Sequence, residues 1–180
     1  MTIHRVCTHN ADVPVNTSIG RPTTKNLVTA ASEAALLSLM TNYTWRGEFT
    51  NDEINALHAQ AFETRIFTDD EWDWEELVGS HSLGWVVARE DDVLVGFVNV
   101  VWDGFVHAWL QDTMVSATAS RRGIGTQLVA TARDAARGAG CEYLHVDFEP
   151  HLTSFYIDAC GFTSAPAGVM QIQDGPLARS

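Results

Sequence analysis

The 180-residue sequence predicts an α/β domain of the α+β type, with a mixed, mainly antiparallel sheet flanked by helices on both faces. Three observations carry this reading. The apolar, β-branched runs Trp85 to Arg89, Val93 to Trp102 and Val106 to Val115 follow one another with only short polar breaks, the pattern of an antiparallel meander. Two helix-capping signatures stand ahead of the meander. After it, the chain passes from a strand through a cationic glycine loop into a helix-patterned run and on to a further strand.

Each element follows in order. A short strand is expected around Tyr43 to Arg46. Thr50, Asn51, Asp52 and Glu53 form a capping box, in which the threonine hydroxyl and the Glu53 carboxylate satisfy free helix N–H groups, so a helix should run from about Asn51 to Phe62. The same signature at Thr68, Asp69, Asp70 and Glu71 predicts a second helix over Asp69 to Val78, ended by Gly79. Glu90, Asp91 and Asp92 punctuate the first hairpin, and Asp103 and Gly104 precede the third strand of the meander. The helix over Gln127 to Arg137 stops at Gly138 and Gly140. Glu142 to Phe148 reads as a strand, Pro150 to Cys160 as a short helix, and Phe162 to Ile172 as a final strand pair. Residues 1–40 read as an N-terminal extension, an irregular arm with Pro14 and Pro22 followed by a helix over Leu27 to Met40. The working domain is expected over 41–175, with 176–180 a tail.

Composition narrows the function. The formal charge of −12 with a single lysine, Lys25, disfavours duplex nucleic acid and anionic membrane as partners. Cys7, Cys141 and Cys160 are an odd set without metal-ligand spacing, and they read as reduced thiols of a cytoplasmic protein. No apolar run approaches the roughly 20 residues of a membrane span. Monomer and homodimer are both compatible with the sequence.

The chemistry concentrates at Arg121, Arg122, Gly123, Ile124, Gly125 and Thr126. Four of eleven basic residues (Arg121, Arg122, Arg133, Arg137) fall in this short span of an acidic chain. Two glycines admit a ligand close to the backbone, and the first turn of a helix offers unpaired N–H groups with partial positive charge, so the segment is an anion site. A Walker-type loop would need a lysine that is absent, and a dinucleotide fingerprint would need a third glycine where Leu128 stands.

With this element order, Ser120-Arg121-Arg122-Gly123-Ile124-Gly125 resembles the central (Q/R)-x-x-G-x-(G/A) signature of the GNAT superfamily of acyl-CoA-dependent N-acetyltransferases, and Phe155-Tyr156 with Gly161-Phe162 resembles its later aromatic signature. The resemblance spans roughly Tyr43 to Ile172. Ser120 replaces the usual glutamine or arginine, and the gap from Tyr156 to Gly161 is one residue longer than common. The resemblance implies that acetyl-CoA lays its pyrophosphate on the loop from Arg121 to Thr126 and its pantetheine arm along the backbone near Met114 and Val115. It implies a backbone N–H at about Val115 as the oxyanion donor and Tyr156 as the acid that protonates the departing thiolate.

For the base we favour Asp112, a lone carboxylate in an apolar strand that by alternation shares a face with Leu110 and Met114. Glu149, Asp147, His107 and a water relay are its rivals, and His145 and His151 read as structural. Between Glu48 and Asp92 there are thirteen acidic and two basic residues. An acidic wall with Trp72 and Trp74, joined by His107 and Glu149, would attract a cationic acceptor: a polyamine, an aminoglycoside-like amine or a basic peptide end. The expected function is acetyl transfer from acetyl-CoA to a primary amine, small-molecule or peptide, in a direct ternary complex. A non-catalytic acyl-CoA sensor and an acidic-face interaction domain are the alternatives.

Overall fold

The computed structural model describes residues 40–170 and 172. The expected N-terminal arm and helix, and the tail at 176–180, lie outside the described residues, apart from Met40. The described chain forms β1 (Asn42–Trp45), α1 (Asn51–Ala61), α2 (Trp74–His81), β2 (Ser82–Glu90), β3 (Val93–Trp102), β4 (His107–Val115), α3 (Ile124–Gly138) and β5 (Tyr143–Val146). A 3₁₀ turn, Ala117–Ala119, joins β4 to the glycine loop, and a 3₁₀ turn, Pro150–Leu152, and a π-helix, Ser154–Ala159, follow β5. The sheet order is β1-β2-β3-β4-β5, antiparallel throughout except for the parallel pair β4 and β5. This is the mixed, mainly antiparallel sheet that the sequence predicts. Among the described residues no helix is long and apolar enough to cross a membrane.

Alternation divides the sheet's apolar residues between two cores. Val86, Ala88, Val98, Val100, Ala108 and Leu110 face Ile124, Leu128, Val129, Ala132 and Ala136 of α3. On the opposite face Val87, Leu94, Phe97 and Met114 meet Ile54 and Leu57 of α1 and Trp74 and Val78 of α2. Both faces therefore carry helices.

Local chemistry explains α1 and displaces α2. Thr50 caps α1 as expected: its hydroxyl accepts from Glu53 N and the Glu53 carboxylate accepts from Thr50 N. The second signature makes the same contact, Thr68 N donating to Glu71 Oε2 at 3.1 Å, yet it closes only a turn, clasped by the Arg65–Glu71 ion pair. The helix starts five residues later than expected, at Trp74, and runs through Gly79 to His81. Asp73 is its cap, accepting from Glu76 N, while Asn51 Oδ1 of α1 accepts from both Trp74 N and Glu75 N. A contact from another helix outweighs a signature that is equally good locally.

The strand pair expected over Phe162 to Ile172 does not form: residues 162–170 and 172 hold no regular structure. Gly161, at φ +79°, reverses the chain, and Phe162 packs back on the core. Beyond it Pro166 withholds a ladder donor, and Val169, Met170 and Ile172 bury almost nothing.

The loop between α1 and α2 is anchored by two buried polar residues. Asn55 donates to the Trp72 carbonyl and accepts from the Trp74 indole at 2.8 Å. His58 sits in a box of Phe62, Phe67, Trp72 and Trp74, with Thr64 Oγ1 3.3 Å from its Nδ1. Replacing Asn55 by leucine strands a buried indole N–H and a buried carbonyl, and should cost about 2–4 kcal/mol in urea unfolding at unchanged m-value. Burial holds the His58 imidazole below its ordinary pKa of 6.5, so the folded ring stays neutral where the unfolded one takes up a proton. The stability this contributes is complete above about pH 6.5 and is lost as pH falls through the window below it. The acid-side slope of melting temperature should accordingly be shallower in His58→Gln than in the wild type.

Candidate functional site

A bulge in β4 creates the site. On β3, Phe97 pairs with Met114 and Asn99 with Gln111, which leaves Asp112 and Thr113 together opposite Val98. Asp112 takes the left-handed conformation at φ +52°, one that aspartate tolerates better than most side chains. The extra residue breaks the alternation: Leu110 faces α3, whereas Met114 is fully buried on the α1/α2 side. The expectation that Asp112 shares one face with Leu110 and Met114 is therefore corrected, because those two residues lie on opposite faces. Pairing between β4 and β5 ends at Leu110 with Val146, and the two strands part beyond it.

The gap between them opens into a cavity of about 830 Å³. Ala61, Phe62 and Glu63 at the end of α1 line it on one side of the sheet, and Ile124, Gly125 and Thr126 at the start of α3 line it on the other. Thr113 and Val115 of β4, Glu149, and Phe155 and Tyr156 of the π-helix complete its walls. The cavity thus passes through the sheet at the parted strands.

The glycine loop forms part of the lining. Gly123, the N-cap of α3, has φ +82° and no side chain to bond the first turn, so the amides of that turn are left for a ligand. Gly125 admits close approach of Phe155, whose ring carbons would lie 3.1 Å from an added Cβ. Arg121, also left-handed at φ +59°, lines the cavity. Arg122 does not: both its terminal nitrogens bond the Glu90 carboxylate, at 3.0 and 2.7 Å. Ser120, in the place of the signature's glutamine or arginine, donates to the Ser116 carbonyl.

Tyr156 lines the same cavity. The residue that lengthens the gap to Gly161 is absorbed by wider turns, with Cys160 N bonding Phe155 O and Phe162 N bonding Tyr156 O. Tyr156 is 6% exposed, flanked by Phe148, Phe155 and Phe162. Burial raises its phenol above the usual 10, and a hydrogen bond with Thr113 opposes part of that rise. The group is protonated at neutral pH.

The structure gathers Val115, Arg121, Gly123, Ile124, Gly125, Thr126, Glu149 and Tyr156 around one cavity. It leaves out the other candidates. Asp112 is outside the lining, its carboxyl pushed up by burial. Met114 offers only backbone. Trp74 is fully buried and stacks on Trp72, so both indoles are used in the core rather than in an acceptor wall. His107 lies further back on the sheet, its Nδ1 2.8 Å from His145 Nε2. Thr113, Glu63 and His151 were not foreseen, since their position depends on the bulge and on the parted strands.

The model of the acetyltransferase (GNAT) family matches residues 51–162. No protein of curated function matches the sequence. Among solved structures, the aminoglycoside N-acetyltransferase AAC(6')-Iy in complex with CoA is 20% identical, with 76% of this chain and 96% of that one covered at a TM-score of 0.61. A GNAT family acetyltransferase of Streptococcus pneumoniae TIGR4 is 24% identical, covering 76% and 100% at 0.56. Glucosamine-6-phosphate N-acetyltransferase from Arabidopsis thaliana is 17% identical, covering 74% and 99% at 0.58. At these identities the likeness is one of fold.

Ultraviolet titration checks the buried phenol. The wild type should show two tyrosines, Tyr43 and Tyr156, that ionise above pH 10, and Tyr156→Phe should remove one of these two late ionisations.

Proposed function

Because this chain belongs to the acetyltransferase (GNAT) family, we propose that it moves an acetyl group from acetyl-CoA to a primary amine in a direct ternary complex. The observation that carries the reading is the cavity through the sheet, lined both by uncapped helix amides with Arg121 and by a buried, protonated phenol. The pyrophosphate rests on the amides of Gly123 to Thr126 beside Arg121. The pantetheine arm pairs with the edge of β4 that β5 has left, at Met114 and Val115.

The chemistry follows from the walls. An amine with an ordinary pKa near 10.4 must lose a proton before it attacks. Glu149, a carboxylate in the lining, receives that proton through water, and Asp112 serves the site by holding the bulge. Nitrogen then bonds the thioester carbon, and the oxyanion takes the Val115 N–H. The C–S bond breaks with its electron pair on sulfur, Tyr156 gives its proton to the thiolate, and the second proton that the nitrogen sheds as the amide forms passes through water to restore the phenol. Glu63 and Glu149 are carboxylates of the lining, which favours a cationic acceptor; similar proteins are named for aminoglycoside and glucosamine-6-phosphate acetylation.

Calorimetry with acetyl-CoA tests the donor half. Saturable binding should weaken about tenfold or more in Arg121→Glu, the loss of a charge-assisted contact, and change little in Arg122→Glu. Tyr156→Phe should lower kcat at least tenfold in a thiol-release assay while binding of acetyl-CoA persists. Binding with turnover unaffected by Tyr156→Phe would point to another acid, binding without any turnover to a sensor, and no binding to an acidic docking domain.

A further inference from the structure

The sheet face that leads to the gap is paved with rings. His107 and Trp109 project from β4 away from α3, since their neighbours Ala108 and Leu110 pack in the core beneath α3. Directly across, in register, stand Tyr143 and His145 of β5, again alternating with the inward Leu144 and Val146. The four rings are near-parallel: His107 lies 17° from Tyr143 and 27° from His145, and Trp109 lies 20° from His145, with centroids 4.9 to 5.0 Å apart. The His107–His145 separation is what an in-plane nitrogen–nitrogen hydrogen bond between imidazoles requires, so the two rings lie end to end and hold each other's plane.

Two further observations identify what this pavement suits. It is open at Tyr143, which is 55% exposed, while His107, Trp109 and His145 are half-buried. Its electrostatic setting is one-sided. Over residues 103–115 and 141–160 there is no lysine or arginine, whereas Asp103, Asp112, Glu142, Asp147, Glu149 and Asp158 are all present. Aromatic rings on strands whose own segments carry carboxylates and no lysine or arginine attract cations and repel anions. The pavement also ends at Trp109 and His145, one pair short of Leu110 and Val146 where the strands part, so a molecule lying on it points one end toward the cavity.

We propose that this ring pavement is the docking site for a second cationic group of the acceptor, making the preferred substrate an organic polycation such as a polyamine rather than a simple monoamine. The inference rests on the acetyl-transfer reading and adds the substrate class. The reacting amine enters the gap from this face while its distal ammonium sits over Trp109, His145 and Tyr143. No ring takes part in the chemistry; each fixes where the cation lies.

The test is a calorimetric titration of spermidine, with propylamine as the monoamine control, into the full chain. Spermidine should bind saturably and propylamine at least tenfold more weakly. Tyr143→Ala, at an exposed position that leaves the fold intact, and Trp109→Leu, which keeps apolar bulk, should each weaken spermidine about tenfold. Spermidine binding equal to that of propylamine, or unchanged in both variants, would overturn the proposal. So would the absence of spermidine binding together with a dimer that Tyr143→Ala dissociates, which would assign the face to a second copy of the chain. Acetyl-CoA titrated in the same series reports on the donor site separately: its binding with spermidine indifferent to the rings sinks only the pavement, and its absence sinks the transferase reading.

Discussion

The one-residue bulge at Asp112 and Thr113 is the constraint on which the rest of this site depends. The break in register on β4 falls just beyond Leu110, where its pairing with β5 ends and the cavity passes through the sheet. With it, three things change together. The alternation flips, so Met114 seals the α1/α2 core; the outer edge of β4 loses its partner and is free to hydrogen-bond a ligand; and Thr113 comes within hydrogen-bond reach of Tyr156. A left-handed aspartate costs some backbone strain, of order 1 kcal/mol or more, which the packing of Met114 and the flanking ladder hold in place.

Charge is then distributed so that each end of the gap favours a different partner. In a chain of net charge −12, positive potential survives where α3 begins and Arg121 stands. Arg122, one position on, is neutralised by Glu90 and holds the loop to the end of β2. The opposite face of the sheet, over β4 and β5, is carboxylate-rich and aromatic. On the proposed reading, an anionic donor and a cationic acceptor approach from opposite sides and meet where the strands part.

The segment between α1 and α2 shows how much of the aromatic content is structural. Trp72, Trp74, Phe62 and Phe67 enclose His58, and Asn55 satisfies both the indole of Trp74 and the carbonyl of Trp72. This box fixes the end of α1, and with it Phe62 and Glu63 at the wall of the cavity. Indoles that look like an acceptor wall in the sequence are consumed in building the support for one.

By itself the sequence determined the features that rest on local chemistry. The meander is legible in three β-branched runs, α1 in its capping box, and the anion loop in Gly123 and Gly125 before an amphipathic helix, because each is decided by residues a few positions apart. Tyr156 is legible through its aromatic neighbours and the Gly161 that follows. Tertiary structure alone decided the rest. It placed the start of α2 at Asp73 instead of Thr68 because Asn51 reaches across from α1. It turned Asp112 out of the expected face because a bulge leaves no mark in an alternating pattern that runs through it unbroken. It also brought His107, Trp109, Tyr143 and His145 into one surface. Parallel pairing sets residues more than thirty positions apart side by side, and no local period in the sequence records which strand will be the neighbour.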